Sequence, residues 1–165
     1  MNATALLDAA RLGSITPRPP QQIAVEQLKS TYTQHSRAQV RMACGVGKTH
    51  VGILTAADVG ARTVVVAVPS RSLVDQTLQV WMPLLAAGSQ TIAVCSADGL
   101  FAHAPAAVGP RLTTTDPARI GFLLGQAAPC LIVSTYQSLP HVAAAVRDTD
   151  TPIDLLILDE AHHLT

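Results

Sequence analysis

Short apolar runs alternate with stretches of helical periodicity along most of this chain. Five short runs, several of them rich in valine or isoleucine, predict strands over Ala38–Cys44, Thr63–Val68, Thr91–Ser96, Cys130–Thr135 and Ile153–Asp159. Between the runs, apolar residues recur at helical spacing, which predicts helices over Lys48–Val59, Ser72–Leu85, Pro117–Gln126 and Gln137–Val146. Apolar strands without a polar face are typical of a parallel sheet that is covered on both sides. The pattern therefore predicts an α/β domain with three layers and a mainly parallel sheet.

Two segments fall outside this alternation. Residues 1–16 show no strong period and are interpreted as an N-terminal extension, which leaves 17–165 as the domain. The prolines of Pro17–Pro20 predict an extended entry to a helix from Gln21 to about Thr33. Glycines, prolines and three consecutive threonines between Ala97 and Asp116 predict an irregular excursion on the surface.

Composition narrows the class of protein. The 165 residues are 48% hydrophobic and 13% charged, which is typical of a globular domain and not of a disordered one. The net charge of zero neither indicates nor excludes a nucleic-acid partner, because a groove can be basic within a neutral molecule. Three scattered cysteines without C-x-x-C spacing are interpreted as core residues. No apolar run approaches the ~20 residues of a membrane span, so we expect a cytoplasmic protein without a membrane partner.

A glycine-rich turn precedes the helix predicted to begin at Lys48. It reads Gly45, Val46, Gly47, Lys48 and Thr49. Glycine permits a sharp turn whose backbone N–H groups point inward, and these groups together with a helix N-terminus suit a phosphate. In such a turn the lysine reaches the β- and γ-phosphates of ATP and the threonine hydroxyl binds Mg²⁺. The strict phosphate-loop pattern requires one further glycine upstream, which is absent, so an ordinary glycine-rich turn is the alternative.

Two carboxylates follow the last predicted strand. Asp159 and Glu160 come directly after four aliphatic residues, at the strand end where open α/β sheets bind ligands. We expect Asp159 to hold Mg²⁺ and Glu160 to polarise the water that attacks the γ-phosphate. The alternative is that both acids cap a helix and face solvent.

Together these segments resemble the first RecA-like domain of superfamily 2 helicases and translocases, of the DEAD/DEAH-box or restriction type. Met42–Thr49 is similar to motif I of that family, whose members often lack the first glycine. Asp159, Glu160, Ala161 and His162 form the D-E-A-H version of motif II. The resemblance implies a P-loop NTPase fold, ATP and Mg²⁺ as cofactors, and a role for His162 in coupling ATP to nucleic-acid binding.

Three further segments are similar to motifs of the family. Arg18 and Gln21 lie in an R-P-x-Q entry, in which the resemblance implies that the glutamine recognises adenine. Ser70 and Arg71 match motif Ia, and Thr135 lies in the next strand-contacting motif. The resemblance implies that these residues touch the sugar-phosphate backbone of DNA or RNA, and hydroxyl and guanidinium groups are suitable partners for phosphates.

Relatives continue beyond motif II into a further strand and a second RecA-like domain. The resemblance therefore predicts a domain that is incomplete at its C-terminal side, marginally stable, and weak in ATP hydrolysis without the arginine fingers of the second domain. We interpret the sequence as the ATP-binding motor half of a nucleic-acid-dependent ATPase. A nucleotide-binding fragment without catalysis is one alternative, and a P-loop ATPase that does not act on nucleic acid is a weaker one.

Overall fold

Five parallel strands form the centre of the protein in the computed structural model, which describes residues 5–43, 45–96 and 111–161. The order across the sheet is β3-β2-β4-β1-β5 and every pair is parallel. The strands are β1 (Thr63–Val68), β2 (Gln90–Val94), β3 (Arg111–Thr113), β4 (Cys130–Thr135) and β5 (Leu155–Leu158). The predicted α/β fold with a parallel sheet is therefore confirmed.

Within the described residues, six helices connect and cover the strands. They are α1 (Ala9–Leu12), α2 (Pro19–Tyr32), α3 (Lys48–Asp58), α4 (Arg71–Trp81), α5 (Pro117–Leu124) and α6 (Leu139–Thr149). Several begin at residues that favour a helix N-terminus. The Ser70 hydroxyl accepts from the amide of Leu73 at the start of α4, and the Asp116 carboxylate accepts from the amide of Ala118 at the start of α5. Short 3-10 turns at Met82–Leu84 and Tyr136–Ser138 replace the ends of two predicted helices.

The hydrophobic core has two parts, one on each face of the sheet. Alternate residues of a strand point to opposite faces, so Val64 and Val66 pack with Trp81, whereas Val65 packs with Ile120. The first part is covered mainly by α3 and α4, and the second by α5 and α6. This arrangement confirms the three predicted layers. Burial of Cys130 in the second part raises the pKa of its thiol to about 12.

The strand predicted over Ala38–Cys44 is not formed in the part of it that the structure describes. Residues 38–43 have no strand pairing, and most of them are exposed, whereas Cys44 lies outside the described residues. An extended segment needs a neighbouring strand to bind its backbone N–H and C=O groups. None of the five described strands lies beside residues 38–43, so their apolar pattern alone does not make a strand.

β5 is also less covered than its sequence predicts. Among the described strands it pairs with β1 alone, and Leu156 and Leu158 are 52% and 42% exposed. The expectation of burial on both faces is wrong for this strand. Its two leucines point to the face on which Val65 lies, but α5 and α6, which cover that face, do not bury them.

The segment before residue 17 packs into the core although it has no period. Leu6 and Leu7 are buried, and Leu7 forms an isolated antiparallel bridge with Leu85. The Leu6 amide donates to the carbonyl of Ala61 at 3.2 Å, and the Arg11 guanidinium donates to the carbonyl of Leu85 at 3.0 Å. These contacts attach the N-terminal segment to the first part of the core.

Within the predicted surface excursion, Arg111–Thr113 forms β3, and residues 97–110 lie outside the described part of the chain. In the described residues we find no helix with the length and apolar character needed to span a membrane.

Candidate functional site

Several of the predicted site residues follow strands of the parallel sheet at their C-terminal ends. The registers Val68–Thr135 and Ala67–Leu158 place the C-terminal ends of β1, β4 and β5 side by side. The residues that follow these strands, such as Asp159 after β5, therefore share one edge of the sheet. This edge is where open α/β sheets bind ligands.

The glycine-rich turn has the backbone that its sequence predicts. Gly45 and Gly47 have φ values of +76° and +92°, in the region that favours glycine, and Gly47 is the N-cap of α3. A Cβ atom at Gly47 would overlap Nε2 of Gln21, at a separation that Cβ atoms in proteins essentially never show. The dihedral angle therefore favours glycine at position 47, and any side chain there would displace the Gln21 amide.

Gln21 is bound to this turn through its side-chain amide. Its Nε2 donates to the carbonyl of Val46 at 2.9 Å, and its Oε1 accepts from the amide of Arg18 at 2.8 Å. The side chain is buried, with 5% of the residue exposed, whereas Arg18 is exposed. The sequence did not predict this role, since its partners are backbone groups. Recognition of adenine by Gln21 and Arg18 stays a prediction.

An ion pair joins the two halves of the predicted site. Nζ of Lys48, in the first turn of α3, lies 3.2 Å from Oε1 of Glu160, which follows β5. Both side chains are about one-third exposed, so water and a ligand have access to them. The lysine of the glycine-rich turn and the carboxylate expected to polarise water are thus in contact, although they are far apart in the sequence.

The acidic turn after β5 is fixed by several hydrogen bonds. The Asp159 amide donates to the carbonyl of Ala67 at 2.9 Å, and the Glu160 amide donates to Oδ1 of Asp159 at 3.0 Å. Glu160 has a φ of +54°, which is uncommon for a residue other than glycine. The Tyr136 hydroxyl donates to the backbone carbonyl of Asp159. The sequence did not predict this hydrogen bond of Tyr136. An aromatic residue at the end of β4 gives no sign that it will bind the backbone after β5, on the other side of β1.

The residues present fit a nucleotide with its magnesium ion. Lys48 offers a positive charge beside the amides of the turn, and a Cβ atom at Gly45 would meet open space among the described residues. Within the described residues no group of three or more His, Cys, Asp or Glu side chains could hold a metal alone. Mg²⁺ in nucleotide sites commonly takes one or two carboxylates and completes its shell with phosphates and waters, so this does not conflict with a site at Thr49 and Asp159.

The three residues predicted to contact a nucleic-acid backbone differ in their surroundings. Arg71 is exposed, and its guanidinium donates to the carbonyl of Ser96 at 2.5 Å. Ser70 uses its hydroxyl to cap α4. Thr135 is buried and donates its hydroxyl to that of Ser138 at 3.0 Å. Arg71 thus lies where a ligand can reach it, whereas the Thr135 hydroxyl is used within the chain. His162 lies outside the described residues.

Solved structures that resemble this fold include two restriction-modification enzymes. One is a nuclease-deletion mutant of the Type ISP restriction-modification enzyme LlaGI in complex with a DNA substrate mimic, with 27% identity and a TM-score of 0.76. The other is the ATP-dependent Type ISP restriction-modification enzyme LlaBIII bound to DNA, with 27% identity and a TM-score of 0.71. Each match covers 90% of this chain, but the chain spans only 15% and 10% of the two enzymes.

No curated protein matches the chain. Its sequence does match a protein-family model. The family model described as "Type III restriction enzyme, res subunit" matches residues 14–165, which is nearly the whole chain. The predicted resemblance to superfamily 2 helicases is therefore confirmed, and the chain belongs to the family of type III restriction enzyme res subunits, with a helicase-like RecA fold.

Proposed function

We propose that this chain is the ATP-binding motor domain of a DNA-dependent ATPase, a DEAH-type helicase or translocase of the restriction class. The observation that supports the proposal most directly is the 3.2 Å contact between Lys48 and Glu160. It brings a phosphate-binding lysine against the carboxylate that follows β5, at the ligand-binding edge of a parallel sheet. Membership of the res-subunit family agrees with this function, and the two similar enzymes were both solved with DNA or a DNA mimic.

Each residue of the site has a proposed role in ATP hydrolysis. Lys48 exchanges its contact with Glu160 for the β- and γ-phosphates, while the amides of the turn from Gly45 to Gly47 bind phosphate oxygens. Thr49 and Asp159 would hold Mg²⁺, which neutralises phosphate charge when bound. Glu160 then orients the attacking water and accepts its proton.

DNA would lie across the same edge of the sheet. Arg71 is the best-placed contact to a backbone phosphate because it is exposed, and Ser70 precedes it as the N-cap of α4. We propose His162 as the residue that couples DNA to ATP. Thr135 is a second proposed contact to the strand, which would require its buried hydroxyl to leave that of Ser138. Such contacts position a strand without reading its sequence.

Binding of a fluorescent ATP analogue with Mg²⁺ tests the nucleotide site. Lys48→Ala should weaken binding about 10- to 100-fold, because a hydrogen bond to a charged group contributes about 1.5–3 kcal/mol. The only other lysine of the chain, Lys29, forms a surface ion pair with Asp58 at 2.8 Å and supplies the matched control. Lys29→Ala should leave the affinity unchanged. Equal affinities of Lys48→Ala and the unaltered chain would exclude this site.

Phosphate release from ATP, measured with and without DNA, tests the proposed dependence of ATP hydrolysis on DNA. A separate measurement of DNA binding should show an affinity that falls as the salt concentration rises, since contacts to phosphates release counterions. Stimulation of ATP hydrolysis by DNA, abolished by Glu160→Gln, supports the motor function. Nucleotide binding without any turnover would instead identify a nucleotide-binding domain without catalysis.

A further inference from the structure

Tyr136 connects two elements that are separated by a strand. It follows β4 directly and begins the 3-10 turn Tyr136–Ser138, and its hydroxyl donates to the backbone carbonyl of Asp159, which follows β5. β4 and β5 lie on opposite sides of β1 in the sheet, so the phenol ring reaches past the end of β1. The turn after β4 is thereby joined directly to the acidic turn after β5.

The turn that holds Tyr136 is itself fixed. The Thr135 hydroxyl donates to the hydroxyl of Ser138 at 3.0 Å, and both residues are buried. The ring of Tyr136 is half-buried. A phenol on a fixed backbone, with only two side-chain torsions, keeps its hydroxyl in place at a small cost in conformational entropy.

The hydrogen bond acts on the peptide group that precedes Glu160. The carbonyl of Asp159 and the amide of Glu160 belong to one planar unit. Tyr136 binds the oxygen of this unit, and Oδ1 of Asp159 binds its N–H at 3.0 Å. The plane is therefore held at both ends. This plane is one side of the φ torsion of Glu160, whose value of +54° is a conformation that persists only when surrounding contacts determine it.

We infer that Tyr136 is a positioning residue, whose hydroxyl holds the Asp159–Glu160 peptide group in the orientation that directs Glu160 toward Lys48 and presents Asp159 to magnesium. This inference rests on the proposed nucleotide site and adds a residue to it.

The test removes only the hydroxyl, in Tyr136→Phe, and compares binding of a fluorescent ATP analogue with and without Mg²⁺. We expect the gain in affinity that Mg²⁺ provides to fall about 2- to 10-fold, which corresponds to the net contribution of one hydrogen bond. Binding without Mg²⁺ should stay the same, because the glycine-rich turn is unaltered. A loss of general stability would instead weaken both measurements.

The other tyrosine supplies a matched control. Tyr32 lies at the far end of α2, eleven residues and therefore about 16 Å from Gln21 along the helix axis. Tyr32→Phe should leave the effect of Mg²⁺ unchanged. An undiminished effect of Mg²⁺ in Tyr136→Phe would overturn the inference.

A second readout does not depend on nucleotide. Hydrogen exchange of the Glu160 amide should become faster in Tyr136→Phe and not in Tyr32→Phe, because the peptide group loses one of its two anchors. Unchanged exchange would overturn the positioning role even if the chain bound no nucleotide. Failure of the unaltered chain to bind the analogue, with faster exchange in Tyr136→Phe, would exclude the proposed function and retain the anchoring of the turn.

Discussion

At the scale of single residues, Gly47 leaves the space that the side-chain amide of Gln21 occupies. A side chain at position 47 would need the left-handed backbone region, which costs a residue other than glycine about 1–2 kcal/mol. It would also displace the Gln21 amide from the carbonyl of Val46, and Gln21 is buried with little room to move. The loss of that hydrogen bond adds about 1 kcal/mol.

We therefore predict that Gly47→Ala lowers the free energy of unfolding by about 2–3 kcal/mol, the sum of these two costs. Gly45→Ala is the matched control, since its φ of +76° is comparable and a Cβ there meets nothing within 4 Å. It should lose only the backbone cost of about 1–2 kcal/mol. Urea unfolding measures both variants. Equal losses would show that the contact with Gln21 does not contribute to stability.

The sequence predicted the residues of this site better than their contacts. Lys48 and Glu160 were expected in one magnesium and ATP site, and the structure brings them together. The pattern did not predict that Gln21 binds the carbonyl of Val46 or that Tyr136 binds that of Asp159. Every residue has a backbone carbonyl, so the amino-acid type does not show which carbonyl a distant side chain will bind.

At the scale of elements, burial and backbone hydrogen bonds attach the N-terminal segment to the core. Leu6 is fully buried and hydrogen bonded through its backbone to Ala61 and to Ala86, although no period in the sequence marked it. Leu6 and Leu7 are only two positions, too few to show a helical or strand period. Their burial goes with a bridge between Leu7 and the distant Leu85, which the local sequence does not reveal.

We predict that Leu6→Ala lowers the free energy of unfolding by about 2–5 kcal/mol, as is usual when a buried leucine leaves a cavity. Ile23→Ala, at a position that is 55% exposed on α2, is the control and should change stability by no more than about 0.5 kcal/mol. Chemical unfolding of the two variants checks this. A loss at Leu6 no larger than that at Ile23 would mean that the segment before residue 17 is not part of the folded core.

Strands were predicted well where the sheet supplies two neighbours. β1 and β4 begin and end at the predicted residues, and both lie between other strands. The segment at residues 38–43, a run interrupted by Gln39 and Arg41, was also predicted as a strand and forms none. Local sequence favours an extended conformation at both places, but only a neighbouring strand satisfies the backbone, and a single sequence does not reveal which neighbours exist.

At the scale of the whole molecule, the two borders of the described sheet differ in apolar exposure. β5 has one partner strand, and its exposed leucines, Leu156 and Leu158, lie on the same face because they are two positions apart. Unpaired backbone groups beside exposed apolar side chains favour pairing with another chain. We therefore predict that the 165-residue chain associates with itself as its concentration rises.

Replacing both leucines with lysine should keep the chain monomeric in sedimentation velocity, because charged side chains at an edge strand oppose pairing between chains. Both positions are about half exposed, so the thermal midpoint should change little. Phe122→Lys removes an even more exposed apolar residue, 72% accessible, but on α5 and away from β5. It should leave self-association intact. Suppression by Phe122→Lys as well would assign the association to exposed apolar surface in general, and a monomeric unaltered chain at every concentration would show that the edge of β5 is protected.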